Sequence, residues 1–161
     1  KLQLRLEPTD LGKLIAANVA LNQYLARNKN IEIRLHLDEI PEAWVDAAKM
    51  EQVLNNLISN AVKYSHAGTA VDIRCSQQDD HILLSVEDQG QGIPEEEIDN
   101  IFKPFTRTSV KTTSGESSTG LGLAIVTKIV EGHGGEIEVE SQVGHGTSFH
   151  IWLPIGLGED H

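Results

Sequence analysis

Met50-Glu-Gln-Val-Leu-Asn-Asn-Leu-Ile-Ser-Asn-Ala-Val-Lys-Tyr-Ser-His66 reads as an amphipathic helix with an unusual polar side. At 3.6 residues per turn, Asn56, Asn60 and Lys63 project from one side, with Gln52 a turn upstream. Met50, Leu54, Leu57, Ile58, Ala61 and Val62 fill the opposite arc, at the spacing that faces a core. Asparagine is a middling helix former, yet Asn55, Asn56 and Asn60 all lie inside this helix. An amide oxygen can ligate a hard cation without adding charge, and a nearby lysine can meet a phosphate. Two readings therefore fit: a solvated helix face, or a site for a magnesium–nucleotide pair.

Two glycine-bearing segments decide between them. Residues 81–88 (His-Ile-Leu-Leu-Ser-Val-Glu-Asp) read as a strand, and Gln89-Gly90-Gln91-Gly92-Ile93-Pro94 follows at once. Gly90 and Gly92 permit close approach of a flat ligand to the backbone, and Asp88 is an acceptor where the chain turns away. Further on, Ser118-Thr119-Gly120-Leu121-Gly122-Leu123 opens a helix running to about Glu131. Backbone N–H groups at such a glycine-flanked start form an anion site. It is not a Walker P-loop, because no Gly-Lys-Ser/Thr occurs. It is not a dinucleotide fingerprint either, lacking the third glycine and a strand directly before it.

The order amide helix, Asp88-Gln-Gly-Gln-Gly92, Phe102-Lys-Pro-Phe105, Gly120-Leu-Gly122 and Gly144-His-Gly146-Thr147 resembles the catalytic ATP-binding domain of bacterial sensor histidine kinases. That domain belongs to a superfamily shared with gyrase, the heat-shock chaperone and mismatch-repair ATPases. The resemblance runs from about Leu6 to Pro154. It implies an α+β fold of Bergerat type: a two-layer sandwich whose mixed, mostly antiparallel sheet carries helices on one face. It also implies binding of ATP with Mg²⁺ and transfer of the γ-phosphoryl group to a histidine on a separate helical domain.

Composition agrees with one domain. The 161 residues can bury a single core, and 39% hydrophobic content is ordinary for a soluble protein. No apolar run approaches the roughly 20 residues that span a bilayer, and no signal peptide opens the chain. A soluble domain is expected, without direct membrane contact. The net charge of −11 argues against a nucleic-acid surface, which is normally basic. Cys75 is alone in a probable strand and reads as a small buried apolar residue. The seven histidines lack metal-ligand spacing, so no zinc site is expected.

Period and punctuation place the elements. Residues 8–28 carry Leu11, Leu14, Ile15, Val19 and Leu25 at helical spacing, capped by Thr9 or Asp10. Residues 31–37 alternate strictly, as a strand with one buried face. Strands are expected over 70–76 and 81–88, and a short helix over 94–102 with Glu95–Glu97 at its positive end. Residues 106–118 have no periodicity and read as a functional loop or lid. A hairpin of 136–141 and 147–153 turns around Gly144 and Gly146. His133, before Gly134 and Gly135, reads as a helix C-terminal residue, not a phosphoacceptor. Residues 1–7 are expected as the end of a linker, 8–155 as the catalytic domain and 156–161 as a tail.

The resemblance assigns roles residue by residue. Asp88 accepts from the adenine amine, which guanine replaces by a carbonyl, and Thr147 supports Asp88 and the base. Gly90, Gly92 and Ile93 shape the base pocket. Asn60 is the Mg²⁺ ligand, Asn56 orients phosphate or metal-bound water, and Lys63 meets a phosphate. Gly120, Leu121, Gly122 and Leu123 form the phosphate turn. Tyr64 stacks near adenine or ribose, or is a core tyrosine. Arg107 reaches the γ-phosphate from the lid, or is a solvated surface arginine; Lys111 is a second choice. The polar face of the amide helix is expected to face solvent when no nucleotide is bound. Of the three phenylalanines, Phe102 and Phe105 flank one short loop. Core anchoring and docking against the histidine-bearing domain both fit them, one ring inward and one toward the partner.

Two departures matter. Hydrolysing superfamily members carry a glutamate general base one turn before the metal-binding asparagine, and here Asn56 holds that place. An amide cannot take a proton from water at neutral pH, so transfer to a protein is favoured over hydrolysis. The His-Glu-Leu-Arg-Thr-Pro-type phosphoacceptor segment is absent, so the chain reads as a catalytic domain cut from a longer kinase. It is expected to be monomeric and cytoplasmic, under a parent that in most relatives sits in the inner membrane, and it meets a response regulator only indirectly. A serine kinase of the anti-sigma-factor type and a nucleotide-binding pseudokinase are the alternatives on the same fold.

Overall fold

The computed structural model describes residues 3–103, 113 and 122–155. Its elements run β1 (Glu7–Thr9), α1 (Leu11–Asn28), β2 (Glu32–Leu37), β3 (Ala43–Val45), α2 (Ala47–Tyr64), β4 (Ala70–Gln78), β5 (His81–Glu87), α3 (Glu95–Ile98), α4 (Leu123–Gly132), β6 (Glu136–Gln142) and β7 (Gly146–Pro154). Five strands form one sheet in the order β2-β4-β5-β7-β6. Only β2 and β4 pair in parallel; the other neighbours are antiparallel. This is the expected mixed, mostly antiparallel sheet.

Strand alternation makes one sheet face apolar. Val71, Ile73 and Cys75, Ile82, Leu84 and Val86, and Phe149, Ile151 and Leu153 are buried on three neighbouring strands. Helices α2 and α4 cover them, with Met50, Val53, Leu54, Leu57, Ile58, Val126, Ile129 and Val130 in the same core. The opposite face is a polar ladder: Arg34 pairs with Asp72, Arg74 with Glu87, and Trp152 donates to Glu138. Cys75 is buried as expected, and burial pushes its thiol up to about 11.

The two 18-residue helices, α1 and α2, each start on an aspartate. Asp10 accepts from the Lys13 N–H, and Asp46 from the Lys49 N–H. Asp46 also accepts from the Arg5 N–H, and its own N–H donates to His133 Nε2 at 3.0 Å. These N–H donors, foremost that of Arg5, hold the Asp46 carboxyl below the usual range. His133 caps α4 as expected, with its Nδ1 on the Ile129 carbonyl.

Three expectations are corrected, and one strand pair is added. The helix expected over 94–102 is the four-residue α3, followed by turns. Its interior is acidic and none of its residues is buried, so little apolar packing extends it. The last long helix starts at Leu123, because Gly122 sits at φ +67°, outside the helical region. On β2, Leu35 stays exposed while Ile33 and Leu37 are half-buried, since this is an edge strand and cover is partial. The three-residue β1–β3 pair, Glu7 to Val45 and Thr9 to Ala43, is too short for an alternation signal.

Candidate functional site

Three segments meet at one end of the sheet and form a narrow cleft. From α2 come Asn60, Ala61 and Tyr64. From the turn after β5 come Asp88, Gln91, Gly92 and Ile93, and β7 supplies Thr147 and Phe149. Residues more than 80 apart in sequence thus share one cavity.

Asp88 is held from behind. Its Oδ1 accepts the Gly90 N–H at 2.9 Å and the Thr147 N–H at 3.1 Å. Burial pushes the carboxyl up to about 6, and these two donors act against that rise. A carboxylate so placed has one oxygen fastened to the backbone, while the group as a whole lines the cleft. The glycines make the arrangement possible. A Cβ on Gly90 would strike the Tyr64 carbonyl, one on Gly92 the Gln142 carbonyl, and one on Gly146 the Asp88 carbonyl. The backbone segments touch there, and no side chain fits between them.

The amide face of α2 divides into two networks. Asn55 belongs to neither metal nor nucleotide: it accepts from Asn22 of α1, which also bonds Asn18. Asn56 and Asn60 form the second network. Asn60 Nδ2 donates to Asn56 Oδ1 at 3.0 Å, and Asn56 Nδ2 donates to the Gly122 carbonyl at 3.3 Å. The expected solvent-facing polar face is corrected at Asn60, which is only 7% exposed, while Asn56 and Lys63 are half-exposed and Gln52 is exposed. Lys63 lies half-exposed one turn on and does not line the cleft.

Tyr64 is buried in the core, and it also lines the cleft. Leu123 is buried in the core and is not among the residues that line the cleft. Phe102 turns inward and packs edge-on against Phe149, with ring centroids 6.3 Å apart. Phe105, Arg107, Lys111, Gly120 and Leu121 lie outside the described residues. Of residues 106–118 only Thr113 is described; its N–H donates to the Lys63 carbonyl at 3.0 Å.

Three residues escaped the sequence reading. Gln91 and Phe149 line the cleft, and Ser141 stands behind it, bonded to Ile93 and Thr147. Strand alternation puts Phe149 on the Thr147 face, a signal that was available. Ser141 gave none. Among the described residues no three His, Cys, Asp or Glu converge on a possible metal position. No described helix is long and apolar enough to cross a membrane.

Comparison with known proteins adds the relatives. The family described as histidine kinase-, DNA gyrase B-, and HSP90-like ATPase matches residues 45–157. The sensor histidine kinase ZraS of Escherichia coli (strain K12) is 36% identical over 155 residues, covering 96% of this chain and 32% of ZraS. This chain therefore spans about a third of that relative's length. Among solved structures, the nucleotide-free catalytic domain of the histidine kinase ThkA superposes with a TM-score of 0.83 at 31% identity, over 95% of this chain and 97% of that one. Full-length ShkA in complex with AMPPNP also gives 0.83 at 31% identity, over 96% of this chain and 32% of ShkA.

Proposed function

Because the chain belongs to the histidine kinase-, DNA gyrase B-, and HSP90-like ATPase family, we propose that it binds Mg–ATP and donates the γ-phosphoryl group to a histidine on a separate helical domain, in two-component signalling. The observation that carries this is Asp88: a carboxylate lining the cleft, with Oδ1 tied to two backbone N–H groups. It accepts the adenine amine, and guanine, with a carbonyl at that position, is refused. Tyr64, Ile93 and Phe149 supply apolar walls for the purine.

The phosphates extend from the base toward Asn60, Asn56 and Gly122. The donor set suits a cation that arrives with the nucleotide: neutral amides and, among the described residues, no convergent acidic cluster, so the phosphates supply the opposing charge. Asn60 is its protein ligand, and when bound the Mg²⁺ neutralises phosphate charge. The Asn60 N–H is committed to Asn56, which orients the amide. Lys63 meets phosphate as a point charge. Phosphoryl transfer then needs mainly positioning and neutralisation.

Asn56 supports transfer over hydrolysis. Its amide accepts from Asn60 and donates to Gly122, and it has no basic lone pair to activate water. The phosphoacceptor histidine belongs to a partner domain, and a response regulator receives the group afterwards. The test is to mix this chain with the parent's helical domain and labelled ATP, then assay acid-labile phosphate on histidine. Label arriving on serine instead, or nowhere, would refute the proposal.

A further inference from the structure

Helix α1 is apolar on two sides, and the core accounts for only one of them. Leu11, Ile15, Val19 and Ala26 are buried, while Leu21 and Tyr24 are each 74% exposed. The exposed side is ordered. Leu14, Ala17, Leu21, Tyr24 and Asn28 follow one another at alternate steps of three and four, the a and d positions of a heptad repeat, which form one seam along a helix. Leu14 is half-buried at the start of this seam, and Ala17 and Asn28 are exposed. The stretch from Leu14 to Ala26 holds no charged residue, although charged residues make up 23% of the chain. A solvated helix face carries charges of both signs. No residue of α1 lines the cleft, so nucleotide recognition does not explain the seam.

Charge marks one flank. Lys13 and Arg27 stand at two g positions of the same repeat, both exposed and in no ion pair among the described residues. Arg34 and Arg74 are instead spent on Asp72 and Glu87. A second copy of α1 does not suit this seam. Antiparallel packing sets g beside g, so Lys13 and Arg27 would meet the same cations. Parallel packing sets them beside the e positions Asn18 and Leu25, which carry no charge. We propose that α1 docks a helix of a separate partner protein, with apolar residues along its own a and d seam and carboxylates on the flank that meets Lys13 and Arg27. Docking takes Leu21 and Tyr24 out of water, and the carboxylates fix register and orientation. With a net charge of −11 the chain as a whole repels an acidic helix, so the Lys13–Arg27 flank alone steers it to this face. The inference does not depend on the nucleotide reading.

The test titrates this chain into a labelled synthetic peptide of about three heptads, with Leu at a and d and Glu at e and g, and follows fluorescence anisotropy. One control carries Lys in place of Glu; another scrambles the acidic sequence. Saturable one-to-one binding of the acidic peptide, at least about tenfold tighter than either control, is the expected result. Leu21→Glu and Tyr24→Glu each weaken it by about tenfold or more. Lys13→Glu combined with Arg27→Glu turns the preference to the Lys peptide. Urea unfolding checks that each variant is folded; should an apolar variant fail, the charge reversal alone decides. Absence of saturable binding, equal binding of the scrambled peptide or an unmoved charge preference overturns the proposal. So does binding that survives Leu21→Glu and Tyr24→Glu, which locates the peptide elsewhere. Sedimentation of the chain alone covers the remaining occupant: a concentration-dependent dimer lost in Leu21→Glu would assign the seam to a second copy and overturn the partner.

Discussion

The side-chain amide of Asn56 donates to the Gly122 carbonyl at 3.3 Å, joining the middle of α2 to the turn that opens α4 across 66 residues. Gly122 is at φ +67°, and a Cβ there would lie 2.6 Å from Asn56 Nδ2. The close approach and the bond are one feature: the helix amide and the glycine turn are built against each other. Asn60 then leans on Asn56, so these two amides of the helix are tied to a distant glycine.

Nucleotide affinity is expected to fall in acid because of Asp88. Its carboxyl is raised to about 6, and only the ionised form is a pure acceptor for an amine. Below pH 6, affinity for ADP declines by up to tenfold per pH unit, and the decline is absent in Asp88→Asn, which binds weakly throughout. Titrations from pH 5 to 8 check this.

The same shift has a stability consequence of opposite sign. A raised pKa means the fold holds a proton that the unfolded chain releases between about 4 and 6, so this group's contribution falls as pH rises through that window. At neutral pH the buried charge costs stability. Asp88→Asn, whose Oδ1 still accepts from Gly90 and Thr147, is expected to stabilise the nucleotide-free protein at pH 7 by about 1–2 kcal/mol. Urea unfolding at pH 4.5 and 7 measures it; an equal gain at both would contradict the linkage.

Asn60→Ala is expected to abolish phosphoryl transfer and also to cost stability. The side chain is buried and bonded to Asn56, so its loss removes one hydrogen bond and some packing, about 1–2 kcal/mol. A drop in melting temperature together with lost transfer is the expected pair. Wild-type transfer rates in this variant would exclude Asn60 as the cation ligand.

Two glycines with positive φ should respond very differently to alanine. Gly68, at φ +85°, has nothing within 4 Å of an added Cβ, so only backbone strain remains, about 1 kcal/mol. Gly146, at φ +96°, would drive its Cβ into the Asp88 carbonyl. Gly146→Ala is expected to cost at least about 2 kcal/mol more than Gly68→Ala and to weaken ADP binding, because the displaced strand carries Asp88. Parallel unfolding curves and titrations decide it.

Lys29 is a buried cation at the end of α2, its Nζ donating to the Val62 and Lys63 carbonyls, both at 2.9 Å. It meets the negative end of the helix dipole. Lys29→Met keeps the apolar stem but removes the donor, and is expected to destabilise by about 2 kcal/mol. A shift of the urea midpoint without a change in slope would show it.

The amino-acid sequence by itself determined the two long helices α1 and α2 and the strands of the main sheet, but not the extent of α3 or the β1–β3 pair. The apolar arc of α2 from Met50 to Val62 is buried, as its period requires, and alternation in β4, β5 and β7 put the expected side chains inward. Periodicity is a local property, so it survives reading one segment at a time. Asp88, Thr147, Asn60 and the glycine turns were legible as candidates because few other uses exist for those residue types in that order.

What the tertiary structure alone decided is which polar atoms are already spent. Asn55 went to α1, Asn56 to the Gly122 turn and Asn60 to the cleft, although all three stand within six positions. Asn60 is buried where a bare amphipathic helix would expose it. Ser141 stands behind the cleft through register: Ser141 pairs with Thr147 across β6 and β7, and the turn after β5 brings Ile93 to the same hydroxyl. A hydrogen bond depends on position to within a few tenths of an ångström and on which partners arrive first. Contacts spanning 48 to 66 residues obtain that geometry only once the sheet is assembled.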